Sequence, residues 1–396
     1  MDDFADLRGH AIPLAGAEPD LLEDDLAPLL ERLTGARLVG MGEATHGDHE
    51  SFAFKQRLIQ ALVRRGQCDV VIFERGVAEM DAYDHYVTGA TDVLSMGGEL
   101  YPWRVEEVRD LFHWLRDWNA AGGSVHVAGM DMQSPAGLPL ALRRLDELGI
   151  TAPAEWRRLA PEAGGKASDA AWLASALAMW QHAERPALDP AYPGQRWPAL
   201  LAETFRQWLD LRSCYVRPDW SQYERQRDRF MADNALAQLD RFGRGRKAVL
   251  WAHNLHVWLE LQSPRIGRHL RDRLGAAYRC LCFWFGTGRY NAGSGKINPE
   301  TKLTEPGFDW TLRPHLAEPM PSGSVEYLLD QAHLDCFAIE PDRVPVLRRD
   351  RPFRCGGGAI FEGESQFSCR CIPAEVCDLL VYFREVEPSR LLETTA

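Results

Sequence analysis

The run Gly42-Glu43-Ala44-Thr45-His46-Gly47-Asp48-His49-Glu50 packs two histidines, two glutamates and an aspartate into a few positions directly after the apolar Leu38–Met41. A neutral imidazole can take a proton near neutral pH. A carboxylate beside it can orient the ring and stabilise the imidazolium. Glu43 with His46 therefore has the makings of a general base acting on water. Similar groups close other apolar runs: Glu74 and Arg75 after "DVVIF", Asp131 in "HVAGMD", and His253, Asn254 and His256 in "VLWAHNLHVW". Helical spacing in "YERQRDRFMADNAL" sets Arg227, Met231 and Asn234 on one face, so Arg227 reaches either a binding cleft or a structural ion pair. Asp48, His49 and Glu50 read as the entry to the next helix.

These groups need a scaffold that brings chain-distant segments together. Short apolar runs bounded by turn residues predict strands buried on both faces at 37–41, 70–73, 124–128, 247–252, 278–285, 336–339 and 379–383. The fifth is expected to end at Gly286-Thr287. Between the early runs lie helical stripes. One is Phe54, Leu58, Ile59, Leu62 and Val63, with Asp48 or Ser51 as cap; another is Val108, Leu111, Leu115 and Trp118. Strand alternating with helix predicts an α/β class, a mainly parallel sheet core flanked by helices. Residues 139–242 hold long helical patterns without a convincing strand. They predict an inserted helical lobe forming a cleft, with 1–138 and 243–396 as the α/β core. Ligands of open parallel sheets bind beyond the carboxyl ends of the strands, which is where the polar groups above cluster. Trp103, Trp114 and Trp118 read as core.

Composition narrows the classes. The 396-residue chain carries a net charge of −12 and no long basic block, which argues against nucleic acid and anionic membrane as partners. No apolar run reaches the roughly 18 residues of a membrane span. The nine cysteines lie mostly in apolar runs and read as reduced, buried thiols of a cytoplasmic protein. No G-x-S-x-G elbow occurs, "HESFA" lacks the second histidine of H-E-x-x-H, and Tyr290 stands where a phosphate-binding loop would start with glycine. Water activated by histidine or by a metal remains.

"GEATHG", a lysine in the next helix, "FERG", "WRVEEVRDLFHWLRDWN", "GMDMQS", "RDRFMADN", "WAHNLHV" and "SGSVEYLLDQA" occur in the order seen in the erythromycin esterase family, which the chain resembles over roughly residues 30–385. The resemblance implies a hydrolase that opens the lactone ring of a macrolide such as erythromycin, an antibiotic-resistance chemistry. His46 would be the general base, with catalytic or positioning roles for Glu43, Glu74 and His253. Lys55, Arg75, Asp131, Asn254, His256 and Arg227 are the expected substrate contacts, Lys55 standing where some members carry arginine. No cofactor is expected, and the partner is a small ester or lactone. Two alternatives stand beside this: a divalent-metal hydrolase using Glu43, His46, Glu74 and His253 as ligands, and a non-catalytic small-molecule binding protein of secondary metabolism.

Overall fold

The computed structural model describes residues 4–97, 101–184, 186, 188, 193–216, 220–243, 245–260, 262–296 and 307–393. Its strands are β1 (Ile12–Pro13), β2 (Leu38–Met41), β3 (Val70–Gly76), β4 (His126–Asp131), β5 (Ala248–Trp251), β6 (Tyr278–Gly295), β7 (Asp309–Leu316), β8 (Cys336–Ile339), β9 (Arg351–Phe353), β10 (Ala359–Phe361), β11 (Cys369–Cys371) and β12 (Leu379–Val386). The fold is mixed α/β, with mainly parallel pairing and flanking helices. The chain divides into two compact units, residues 1–69, 86–125 and 247–396 in the first, and 70–85 and 126–246 in the second.

In the first unit the strand order is β1-β8-β12-β6-β2-β5. The pairs β12–β6, β6–β2 and β2–β5 are parallel, while β8 and β1 add antiparallel at one edge. Every residue of β2 and β5 is buried, which is why both read as unbroken apolar runs rather than alternating ones. The strand expected to end at Gly286-Thr287 instead runs on to Gly295, pairing antiparallel with β7 and parallel with β10. Its far half, "GRYNAGSG", carries neither an apolar run nor alternation, so periodicity could not find it.

The helix His49–Arg64 begins on Asp48, whose Oδ1 accepts from the Ser51 amide at 2.7 Å. Its apolar stripe was legible, but the structure buries nearly the whole circumference, including Lys55, Gln56, Arg57 and Gln60. The helix Glu106–Ala120 buries Val108, Leu111 and Leu115 of the second predicted stripe, while Trp118 and Trp114, read as core, are only half-buried and stack on each other. The reading of all cysteines as reduced thiols is corrected at one pair. Cys355 and Cys369 form a disulfide beside the short β9–β11 ladder, whereas the other seven lie outside any disulfide and are buried. Among the described residues, no helix is long and apolar enough to cross a membrane.

In the second unit, β3 and β4 pair in parallel. The helix Trp220–Phe242 lies along β4, with Gln238 Nε2 donating to Gly129 O and Asn234 Nδ2 to Met130 O, both at 2.9 Å. The helices Gly137–Glu147, Ala154–Leu159, Ala170–His182 and Pro193–Val216 enclose an apolar core. In it Trp156 and Trp180 stack at 4.6 Å and Phe205 packs on Trp208.

Candidate active site

Neighbouring strands β2 and β5 are in register, Met41 opposite Trp251. Their carboxyl ends therefore release Glu43–His46 and His253–His256 side by side. Both glycines of "GEATHG" are required by close approach. A Cβ on Gly42 would lie 2.0 Å from Asn254 Oδ1, and one on Gly47 would lie 1.8 Å from Asn291 O. Gly47 O accepts from the amides of Asn291 and Ser389, each at 2.9 Å, which pins the end of the turn.

Inside this turn the Glu43 carboxylate is fully buried and surrounded by donors. His46 Nδ1 stands 2.5 Å from Oε1, Trp103 Nε1 donates to Oε1 at 3.0 Å, and Lys55 Nζ pairs with Oε2. The lysine ammonium sits 4.6 Å from the Trp251 ring centroid, with Phe52 and Phe283 also near it. A carboxylate only accepts, so the His46 proton lies on Nδ1 and the Nε2 lone pair is available. Among the described residues nothing hydrogen-bonds Nε2, and the side chain keeps 15% of its surface exposed.

The backbone of Gly357 and Gly358 lies along the edge of this imidazole. Gly357 O accepts from His46 N at 3.3 Å and from Thr45 Oγ1 at 3.0 Å. A methyl on Gly357 would stand 3.4 Å from Nε2. The segment Arg354–Gly358 is held at several points: Cys355 N donates to Gln366 O at 2.7 Å and Gly358 O accepts from Gly293 N at 2.8 Å. Arg354 donates to Phe285 O, Gly286 O and Glu318 O, and the Cys355–Cys369 disulfide follows immediately.

Two rings flank the imidazole, Trp103 at 5.1 Å and His253 at 5.2 Å, both edge-on. His253 Nδ1 accepts from Leu255 N and its Nε2 faces Ala44 O, each at 3.2 Å. Its proton therefore belongs on Nε2, and in this arrangement His253 backs His46 and ties down the Glu43–Ala44 backbone. Asn254 bridges to Phe283 with both ends of its amide and takes Glu43 O on its own amide N–H. Lys55 and Asn254, read from the sequence as substrate contacts, are thus both buried and bonded to protein. His256 lies half-buried on the one-turn helix Asn254–Val257.

The remaining sequence-derived residues belong to the second unit. Glu74 and Arg75 fall inside β3, not beyond it, and Asp131 closes β4. Arg227 joins Glu74 Oε1 at 2.9 Å and Asp131 Oδ2 at 2.7 Å. Burial opposes the guanidinium charge, but the carboxylates of Asp131 and Glu74 outweigh it and raise Arg227 well above its ordinary value. Asp131 also accepts from Met132 N and Gln133 Nε2. Sequence reasoning missed Trp103 and the Cys355–Gly358 backbone. The indole had one available signal, since a buried tryptophan N–H needs an acceptor. The backbone segment had none.

Comparison with known proteins bears on the fold and the family. A Bacillus subtilis (strain 168) protein, YbfO, a candidate hydrolase by name, is 23% identical over 365 residues, 82% of this chain and 78% of its own. The fold is shared with a succinoglycan biosynthesis protein (TM-score 0.80, 18% identity, 99% and 98% of the two chains). It is shared also with an erythromycin esterase mutant in its open conformation (0.61, 17%, 95% and 98%). The erythromycin esterase family model matches residues 63–386, starting downstream of Glu43 and His46. The chain belongs to the erythromycin esterase family.

Proposed function

We propose that this protein is a hydrolase of carboxylic esters, acting on the lactone bond of a macrolide such as erythromycin through water activated by His46. One observation carries the reading: His46 gives Nδ1–H to a buried carboxylate and keeps Nε2 unclaimed on its partly exposed edge. In the reaction, Nε2 removes a proton from water as the oxygen attacks the ester carbonyl. Glu43 stabilises the imidazolium that forms. Nε2–H then protonates the departing alkoxide oxygen as the acyl C–O bond breaks, and the ring opens to a hydroxy acid. A positioned general base contributes on the order of 10²–10⁴ in rate.

The metal-hydrolase alternative needs Glu43 and His46 as ligands. Here Glu43 already receives Lys55, Trp103 and His46, and a cation beside a carboxylate opposes a second one. Among the described residues, no three His, Cys, Asp or Glu side chains form a metal-binding group.

The test is mass spectrometry of several macrolides and simpler lactones incubated with the protein and with His46→Asn. The expected result is addition of one water to at least one macrolide by the native protein and its loss in the variant. Turnover unchanged in His46→Asn overturns the mechanism. Binding without turnover across the panel overturns the hydrolase and favours the binding-protein alternative.

A further inference from the structure

We propose that Trp103 is a positioning residue for the His46–Glu43 pair, an inference that rests on the reading of His46 as the base. Its indole N–H donates to Glu43 Oε1 at 3.0 Å, the same oxygen that meets His46 Nδ1 at 2.5 Å. The carboxylate is fully buried, so its orientation is set by protein donors: Lys55 on one oxygen, Trp103 and His46 on the other. The last torsion of a glutamate is soft. Without the indole, Oε1 is left with the imidazole alone, and the carboxylate can swing toward the lysine, lengthening the bond that fixes the His46 tautomer. The same indole ring stands edge-on to the imidazole at 5.1 Å, interplanar angle 78°, so one side chain restrains both members of the pair.

Trp103 is itself held independently of them. It is 2% exposed. Arg104 beside it donates to Met96 O and Leu392 O, Leu392 N returns a bond to Arg104 O, and Val105 bridges to Leu391. The backbone that carries the indole is therefore tied to the C-terminal segment at the next two residues, which is the support a positioning group requires.

Trp103→Phe keeps an aromatic ring and removes the donor. The expected result is a fall in kcat of about tenfold or more with KM within about twofold, because a donor to a charged acceptor is lost and no substrate contact is. Alongside it, ¹⁵N-histidine NMR should move the His46 Nδ1–H resonance, identified by its absence in His46→Asn. Packing loss alone would lower the melting temperature and leave that resonance and kcat in place. Unchanged kcat with an unmoved resonance overturns the proposal. If Trp103→Phe does not fold, the indole N–H resonance of Trp103 is followed in Glu43→Gln, where it should shift; no shift overturns the hydrogen bond. The NMR arms need no substrate, so absence of lactone hydrolysis in the native protein counts against the proposed function and leaves Trp103 to be decided separately.

Discussion

His46 and His49 stand three residues apart, and each presents Nδ1 to a buried glutamate: His46 to Glu43 at 2.5 Å, His49 to Glu107 at 2.6 Å. They differ at the other nitrogen. His49 Nε2 meets Glu18 at 2.8 Å, and Arg390 adds an amide N–H to Glu107 at 3.0 Å. Burial works against a charge on His49, but hydrogen bonds to Glu107 and Glu18 outweigh it and push the imidazole up to about 9. His49 is therefore an imidazolium at neutral pH with both nitrogens spent, a cationic tie across its unit. His46 has one carboxylate and one unengaged nitrogen. Similar neighbours make one histidine a strut and leave the other able to exchange a proton.

The comparison can be broken most directly at His46. His46→Asn is expected to cut lactone turnover by about 10²–10⁴ with little change in unfolding free energy, and the two measured together separate base from strut. Next is Lys55→Met, which strands the buried Glu43 charge. Denaturant unfolding should show a loss of about 3–5 kcal/mol, largely restored when Glu43→Leu is added, since removing both partners leaves no unpaired charge.

His49 is tested through pH. Its folded value lies above the ordinary 6.5, so between about 6.5 and 9 the folded chain holds a proton that the unfolded chain has released. The stabilisation is complete below about 6.5 and is lost as pH rises through about 9, on the order of 3 kcal/mol in all. Unfolding measured across that window should show the decline in the native protein and a flatter profile in His49→Gln.

The smallest effect concerns the Gly357 backbone that lies along His46. Reducing Cys355–Cys369 with a dithiol, or the double variant Cys355→Ser/Cys369→Ser, should lower turnover about two- to threefold by loosening the Gly357 contact. The pH profile of His49 should not change. Equal turnover in oxidised and reduced protein would show that Arg354 and the backbone bonds of Cys355, Gly357 and Gly358 hold the segment without the disulfide.

Much of the scaffold was readable. The all-buried strands β2 and β5 announced themselves as apolar runs, and the helix after Asp48 by its cap and stripe, because burial on a regular lattice leaves a periodic trace. The far half of β6 and its partners β7 and β10 were not, since glycines and polar residues there leave no period. The Glu43–His46 pair was legible because its members share one turn. The Trp103 donor and the Gly357 contact were not, because each joins segments far apart in the chain; the disulfide closes only 14 residues, but its cysteines carry no spacing signal of a bridge. The same holds for Lys55, whose sequence gives a charge on a helix but not its sealing under Trp251 beside Glu43.

By itself the sequence determined the apolar buried strands, the helix capped by Asp48 and the Glu43–His46 turn at the mouth of β2, since these depend on local periodicity and spacing. Only the tertiary structure decided which nitrogen of each histidine is occupied. At His49 that depends on Glu18 and Glu107 arriving from elsewhere in the chain, at His46 on Lys55 and Trp103 holding the Glu43 carboxylate against Nδ1, and at both on a low-dielectric interior in which each such contact outweighs what water would offer instead.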